Sequence, residues 1–568
     1  MDSGSAERGL SDSTPLLGEE RDLNRAGTST TEDQGNGNRS LNITPWRGVS
    51  IGVFVFVLVF FQASNISLLT TTQGLIATEF DAFDDISWFT SAYLIAMSSI
   101  TPLGGRICRI FSPRTYITFS SLVFAIGVLV TSLSHNLAIF LLGRTITGVG
   151  SAGMLSVVII LILELASVER RGLFIGLANS GMTVGVSLGA VIAGALAPAA
   201  GWRSVFWIQC PIIIAAGLGV FLSLPQSIDS SDHTRKKTPL KSQLKRIDYG
   251  GACLLIATMV LFLYGLSSSK ILPVPIILSL VLLGLFILIE SRFATEPFIP
   301  VAVLKSRGTL FSCFATLGMM MARWSVLFYT PVYAIAVRSW SPASGGLILL
   351  PTNAGFGIGG LLAGWIHIRR AGSFYISCVA TFVLFAATLF ALGFLSTDSS
   401  PVTAYIIVTF LNGLFTGAAL NYNLAHLLHL MPEDLHTIAT PLLAVFRGFA
   451  GSFGSSIGGG IFTRSLRSAL GEEFADRGLG TGPGGDGEDY SNLIRQLAGN
   501  PSLVHTLSGL EHEGAIAGYE DALRILFVSS SALGLAFTLV QASTGWKGPG
   551  AKKGVETDDE GLENTNED

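Results

Sequence analysis

Residues 172–201 read GLFIGLANSGMTVGVSLGAVIAGALAPAAG, from Gly172 to Gly201, and this stretch decides the fold. It is apolar, contains no charged residue, and at about 1.5 Å per residue is long enough to cross a bilayer. Its glycines are ordered. At about 100° per residue, Gly181, Gly185 and Gly189 share one narrow face, while Gly172, Gly176 and Gly194 share roughly the opposite face. Lipid tails are as apolar as leucine, so the hydrophobic effect does not press helices together in a membrane. Rows of small residues do so by letting backbones approach closely. A helix smooth on two faces can sit between two neighbours and shift against either.

The rest of the chain fits that solvent. Among 568 residues, 49% are hydrophobic and only 13% charged, which excludes an ordinary soluble globular protein. The net charge of −4 matters less than where the charges lie. Of the five cysteines, Cys210, Cys253, Cys313 and Cys378 fall in apolar segments and Cys108 in a short basic stretch. Their spacing is neither a disulfide framework nor a zinc site. No H-E-x-x-H, P-loop or G-x-S-x-G occurs in a workable context, and no nucleophile–base pair is visible. The sequence therefore predicts no enzyme, no cofactor, no metal and no nucleic-acid partner.

Apolar segments are read at 48–71, 86–104, 115–134, 137–164, 172–197, 204–225, 249–267, 271–290, 309–336, 343–366, 374–395, 402–428, 438–463 and 520–541, fourteen in all. With the N-terminus placed in the cytoplasm, the short inside loops hold sixteen Lys and Arg residues, and the short outside loops hold Arg203, Lys270 and Arg338 only. The positive-inside bias then places both termini in the cytoplasm. The first outside loop is acidic, with Glu79, Asp81, Asp84 and Asp85; it either gathers cations at the mouth or is a solvated loop. Residues 1–45 are polar and read as a disordered tail, in which Asp12-Ser13-Thr14-Pro15-Leu16-Leu17 resembles an acidic dileucine sorting signal. That signal would engage a sorting adaptor and direct the protein to the vacuole, with the plasma membrane as the alternative. The implied organisation is a tail over 1–45, a six-helix half over 46–225, a basic loop over 226–247, two extra spans over 248–290, a second six-helix half over 291–541 and a tail over 542–568. An outside loop over 464–519 interrupts the second half.

Several motifs carry a resemblance to a known family. Gly176, Gly185, Gly189-Ala190 and Gly194-Ala195 keep the spacing of the antiporter motif of the major facilitator superfamily, with alanines where a proline and a last glycine are usual. The run from Pro102 to Arg114 is similar to that family's gating loop: Gly105, Arg106 and Arg114 match, whereas Arg109 stands where an Asp is expected. Arg144-Thr-Ile-Thr-Gly148-Val-Gly150 is similar to the R-x-x-x-G-x-G motif, to which the family assigns proton coupling. Tyr329-Thr-Pro-Val-Tyr333, Gly345-Gly-Leu-Ile-Leu-Leu-Pro351 and Phe446-Arg447-Gly448 resemble the fourteen-span drug:proton antiporters. Their first helix commonly carries an Asp where this chain has Asn65, and Asn cannot exchange a proton near neutral pH.

The resemblance implies an all-α major facilitator fold of two six-helix halves plus two extra spans. Substrate would bind near the midplane between halves that rock. Arg144, Arg323 and Arg447, with Asn65 and Asn353, are the expected transport and coupling residues. Three deep arginines without a deep carboxylate imply a cavity for neutral or anionic solutes. The expected activity is proton-coupled export of a small organic solute. A vacuolar basic amino acid transporter and a non-transporting sensor on the same fold are the alternatives.

Overall fold

The computed structural model describes residues 45–165, 171–225, 249–267, 271–292, 306–367, 374–431, 436–478 and 487–545. The tail motif of Asp12, Leu16 and Leu17 and the basic loop over 226–247 lie outside them. Among the described residues every regular element is helical.

In chain order, α1 (Pro45–Ser67) runs into α2 (Leu69–Phe80) through Leu68, which keeps helical dihedrals, so the two form one rod. It ends at Asp81, whose φ of 49° is a left-handed conformation that Asp tolerates better than most side chains. There follow α3 (Ile86–Ile110), α4 (Pro113–Ser132), α5 (Leu137–Leu165) and α6 (Arg171–Ala200). A second joined rod is α7 (Trp202–Trp207) with α8 (Gln209–Ser223). The pair α9 (Tyr249–Ser267) and α10 (Pro273–Arg292) comes next, and then α11 (Arg307–Val332), which widens into a π turn over Tyr333–Val337. A third joined rod is α12 (Pro342–Leu347) with α13 (Leu349–Leu361). The remaining helices are α14 (Tyr375–Leu395), α15 (Val402–Leu430), α16 (His436–Asp476), α17 (Gly487–Gly499) and α18 (Leu510–Ala542).

Eleven helices among the described residues are long and apolar enough to cross a membrane, and α9 adds a shorter apolar stretch, Gly250–Leu266. Helices α3 and α16 have the length, 25 and 41 residues, but serine, threonine and glycine dilute their apolar character. Helices α1 to α8 pack on one another, chiefly α1 on α6, α3 and α4 on α5, and α4 on α8. Helices α11 to α18 form a second group, with α11 on α16, α13 on α15 and α14 on α18. The groups meet where α3 packs on α16 and α6 on α12 and α13, while α9 touches both α3 and α16. Below, the end of the bundle carrying Asp84 is termed the acidic face, and the end carrying Arg114 the basic face.

Gly181, Gly185, Gly189 and Gly194 of α6 divide as their angular spacing predicts, and the two faces meet different neighbours. A Cβ on Gly185 would lie 2.5 Å from the Phe60 carbonyl oxygen, and one on Gly189 would lie 2.7 Å from Ser64 Cα. Gly181 faces Phe56 on the same helix, α1. This first face therefore packs within its own helix group. Gly194 faces the other group: its Cβ would stand 2.7 Å from Pro342 O and Ala343 N. Gly346 answers from α12, with its Cβ position 2.8 Å from Val191 N. The surroundings of Gly176, also on α6, lie outside the described residues.

Two expected loops are shorter than the sequence suggests. Helix α3 continues through Gly105, Arg106 and Arg109 to Ile110, and the break falls at Phe111 and Ser112. The reason is local: Ser112 Oγ accepts from Thr115 N–H at 3.2 Å with Pro113 at the first helical position, so the start of α4 is fixed there. Arg114 donates through Nε to Phe221 O at 2.8 Å in the last turn of α8, a favourable place for a cation. On the acidic face the expected loop over 464–519 is largely helical. Apolar residues continue past 463 at helical spacing as Leu466, Leu470 and Phe474, all buried, and α18 packs small residues on them. Cβ positions on Gly514 and Gly518 fall 2.9 Å and 2.7 Å from the Phe474 and Leu470 side chains.

Candidate transport site

Three arginines lie deep in the bundle, and their surroundings differ. Arg144 sits on α5 seven residues from its start, about 10 Å in from the acidic face. It is fully buried, because Gly148, one turn on, lets α5 approach α3 until its Cβ position is 2.4 Å from Tyr93 O. Its guanidinium donates to Asn65 Oδ1 at 2.8 Å, Asn65 O at 3.1 Å and Phe89 O at 3.0 Å. The Tyr93 ring lies 4.8 Å away, and Asn65 passes the chain on by donating to Gln209 Oε1 at 2.5 Å. Asn65 thus accepts with one end of its amide and donates with the other. An Asp there would offer Gln209 Oε1 no donor while ionised.

Arg323, on α11, is 3% exposed. It donates to Thr352 Oγ1 at 2.9 Å, and at 3.4 Å to both Asn412 Oδ1 and Asn353 Oδ1. Asn353 then reaches across to the first helix group, donating to Ser187 Oγ of α6 at 2.9 Å. Phe356, on α13 one turn past Thr352, brings the third arginine into the cluster. Its ring centroid is 5.2 Å from the Arg323 guanidinium and 5.7 Å from that of Arg447. Arg447 is half-buried on α16, about 16 Å from the start of that helix at the basic face. Behind it Gly451 and Gly454 let α16 close on Trp324 and Met321 of α11, where a Cβ on Gly454 would be 2.7 Å from Met321 O.

The two groups are tied at mid-depth and towards the acidic face. Ser98 and Ser452 share a hydrogen bond of 2.7 Å, and Ser91 meets Ser455 at 3.3 Å and Ser456 at 2.9 Å. Beyond them the acidic residues after α2 are clasped by arginines of the second group. Arg495 on α17 pairs with Asp81 at 2.8 Å and Asp84 at 3.0 Å, and Arg467 on α16 also pairs with Asp84. Glu79 turns instead to its own group, pairing with Arg203 at 2.6 Å and accepting from Trp202 Nε1 at 2.6 Å. The hydrogen bond from Arg203 holds its carboxyl below the usual range despite the opposing pull of burial. Asp85 differs: burial, with Asp84 beside it, pushes its carboxyl up.

The structure thus joins Arg144 with Asn65 in one cluster and Arg323, Asn353 and Arg447 in another. It places Gly181, Gly185 and Gly189 of α6 against α1 and Gly194 against α12. Gln209, Tyr93, Ser187, Thr352, Asn412 and Phe356 complete the clusters and escaped the sequence reading. The signal for Gln209 and Asn412 was present, since each is an amide inside an apolar run.

The profile of the Major Facilitator Superfamily matches residues 55–455. The MFS-type transporter ppz2 of Metarhizium majus is 27% identical over 528 residues, covering 89% of this chain and 86% of the relative. The MFS-type efflux pump LUC4 of Fusarium sp is 27% identical over 74% of both chains. The vacuolar membrane amino acid uptake transporter fnx2 of Schizosaccharomyces pombe is 27% identical over 79% of this chain and 76% of its own length. In fold, the chain is similar to a bacterial homologue of the human lysosomal transporter Spinster in an inward-facing, unoccupied conformation. There the TM-score is 0.60 at 14% identity, over 88% of this chain and 98% of that one. Such relatives are transporters rather than enzymes. The helix groups, the small-residue contacts between them and the matched profile agree: this membrane chain belongs to the Major Facilitator Superfamily.

Proposed function

We propose that the protein is a fourteen-span, proton-linked exporter that moves a small organic solute out of the cytosol. The observation that carries this reading is the junction between the helix groups. Among the described residues it includes an apolar patch where Val186 and Ala190 of α6 meet Leu327 and Leu349, and the α6 and α12 backbones approach at Gly194 and Gly346. Beside that patch it is made of short serine contacts, amide bridges from Asn353 to Ser187 and from Asn500 to Thr78, and exposed ion pairs. Such contacts can be exchanged for water at small cost, so the groups can part on the acidic face without unfolding. If the charge bias sets the orientation, the acidic face is the outer one, and the ties describe a state closed on the outer side. Proton linkage rests on the antiporter motif of α6, and Asn65 puts the exchanging group elsewhere.

A second reading, amino acid uptake into the vacuole, is favoured by the likeness to fnx2 and by the Asp12-Leu16-Leu17 pattern. One experiment addresses both. Proteoliposomes carrying the full chain, given a pH gradient, are offered a panel of drugs, organic acids, and basic and neutral amino acids. Gradient-dependent movement of a drug or organic acid supports export, and movement of amino acids alone supports the second reading. No movement of any member, with no proton flux, contradicts both.

A further inference from the structure

Arg144, Arg323 and Arg447 bear the same charge, but only the first two have it answered by their own chain. Arg144 spends its guanidinium on three oxygens, and Arg323 donates to three side-chain oxygens. Among the described residues, Arg447 has no hydrogen-bond acceptor and no carboxylate; its contact is the face of Phe356. It is also the half-buried one, and a Cβ on the adjacent Gly448 would meet nothing within 4 Å, so there is room beside it. Glu290, a buried carboxylate of the neighbouring spans, lies two residues from the end of α10, well away from the midplane.

A guanidinium held inside a membrane protein is costly unless an anion, fixed dipoles or water compensates it. Its planar fork suits a carboxylate, with two parallel hydrogen bonds. Arg323 adds a second positive charge across the same ring, and nothing described in the cluster offers a negative one. Arg447 is also nearer the basic face than Arg323, so a solute entering from that face meets it first.

We propose that Arg447 is the seat for the anionic group of the transported solute, and that the substrate class is organic monoanions, above all carboxylates. This deepens the exporter reading and rests on it. The carboxylate docks on the Arg447 guanidinium, the apolar body lies along Phe356, and Arg323 stays bound to Thr352, Asn412 and Asn353, holding the ring in place. A cation carrying no carboxylate finds no partner there.

The test compares three probes of one shape, 1-naphthoate, 1-naphthamide and 1-naphthylmethylamine, for binding to the full chain in nanodiscs by quenching of tryptophan fluorescence. Naphthoate should bind about ten-fold more tightly than the amide, with the amine weakest. Arg447→Gln should bring the naphthoate-to-naphthamide ratio close to one, and Arg447→Lys, which keeps the charge but loses the planar fork, should leave a ratio between the two. Equal binding of naphthoate and naphthamide to the unaltered protein overturns the proposal, as does a ratio that survives in Arg447→Gln. The two readings fail separately. A ratio of one, with panel members still moving in proteoliposomes, removes the anion seat and leaves the exporter. A high ratio that falls in Arg447→Gln, with no panel member moving, leaves the seat and removes the exporter.

Discussion

Arg144 and Arg447 are the same residue type in the same solvent-poor bundle, one in each helix group, and they show two ways to keep a charge in a membrane. Around Arg144 the chain closes on itself: two backbone carbonyls and the Asn65 amide take its donors, and Gln209 takes the next link. Around Arg447 the chain stops at an aromatic face. On the proposal above, the satisfied charge holds helices in place and the unsatisfied one receives the solute. Depth alone therefore does not assign a role to an intramembrane arginine; its acceptors do.

The comparison breaks most visibly at Arg144. Arg144→Ala strips three acceptors of their donor inside the bundle and should destabilise the first helix group by about 3 kcal/mol, read as a lowered melting temperature in detergent. From the motif alone the expected loss is in turnover more than in folding. A variant that melts like the unaltered protein but does not transport would restore that emphasis.

The glycines sharpen the contrast at a smaller magnitude. Gly185→Leu should cost about 1–3 kcal/mol by overpacking the α1 contact and should block transport while sparing membrane insertion. Gly194→Leu should leave the first group intact and prise α6 from α12, raising labelling of cysteines introduced on the acidic face. If both variants behave alike, the two faces of α6 do not have separate roles.

The ion pairs of the acidic face come next. Arg495→Ala removes pairs in which Arg495 is one-third exposed, and should cost under about 1 kcal/mol of stability, while raising cysteine labelling on that face as Gly194→Leu does. The smallest effect belongs to Glu79. Because Arg203 lowers its carboxyl pKa in the folded protein, the stabilisation is present above the ordinary carboxylate value and is lost only as pH falls through the lowered folded value. Melting between pH 7 and pH 5 should therefore change no more in the unaltered protein than in Glu79→Gln, and the variant should be weaker at both pH values by a few tenths of a kcal/mol.

Much of the fold was legible because membrane spans announce themselves. Fourteen apolar runs correspond to helices or joined helical rods, and Gly181, Gly185, Gly189 and Gly194 of α6 fall on the faces that their spacing dictates. The errors sit where composition changes without a change of structure. Leu466, Leu470 and Phe474 carry α16 on past its apolar stretch, and Ser112 with Pro113, rather than the glycines before them, sets the turn after α3. At the candidate site the arginines are visible in sequence as charges among apolar residues, but their partners are not. Asn65, Gln209 and Phe89 lie on three different rods, so the closed network around Arg144 exists only once α1, α3, α5 and α8 have packed. Phe356 likewise reads as one phenylalanine among 36 until α13 sets it between two guanidiniums.

The most direct test of the two-group mechanism is to lock the junction. Ser91 and Ser455, whose hydroxyl oxygens are 3.3 Å apart across it, are both replaced by cysteine, and the pair is oxidised in proteoliposomes. Movement of the fastest-moving panel member should stop on oxidation and return on reduction, because α3 and α16 must part for the outer side to open. Full-rate transport by the cross-linked protein would contradict the account.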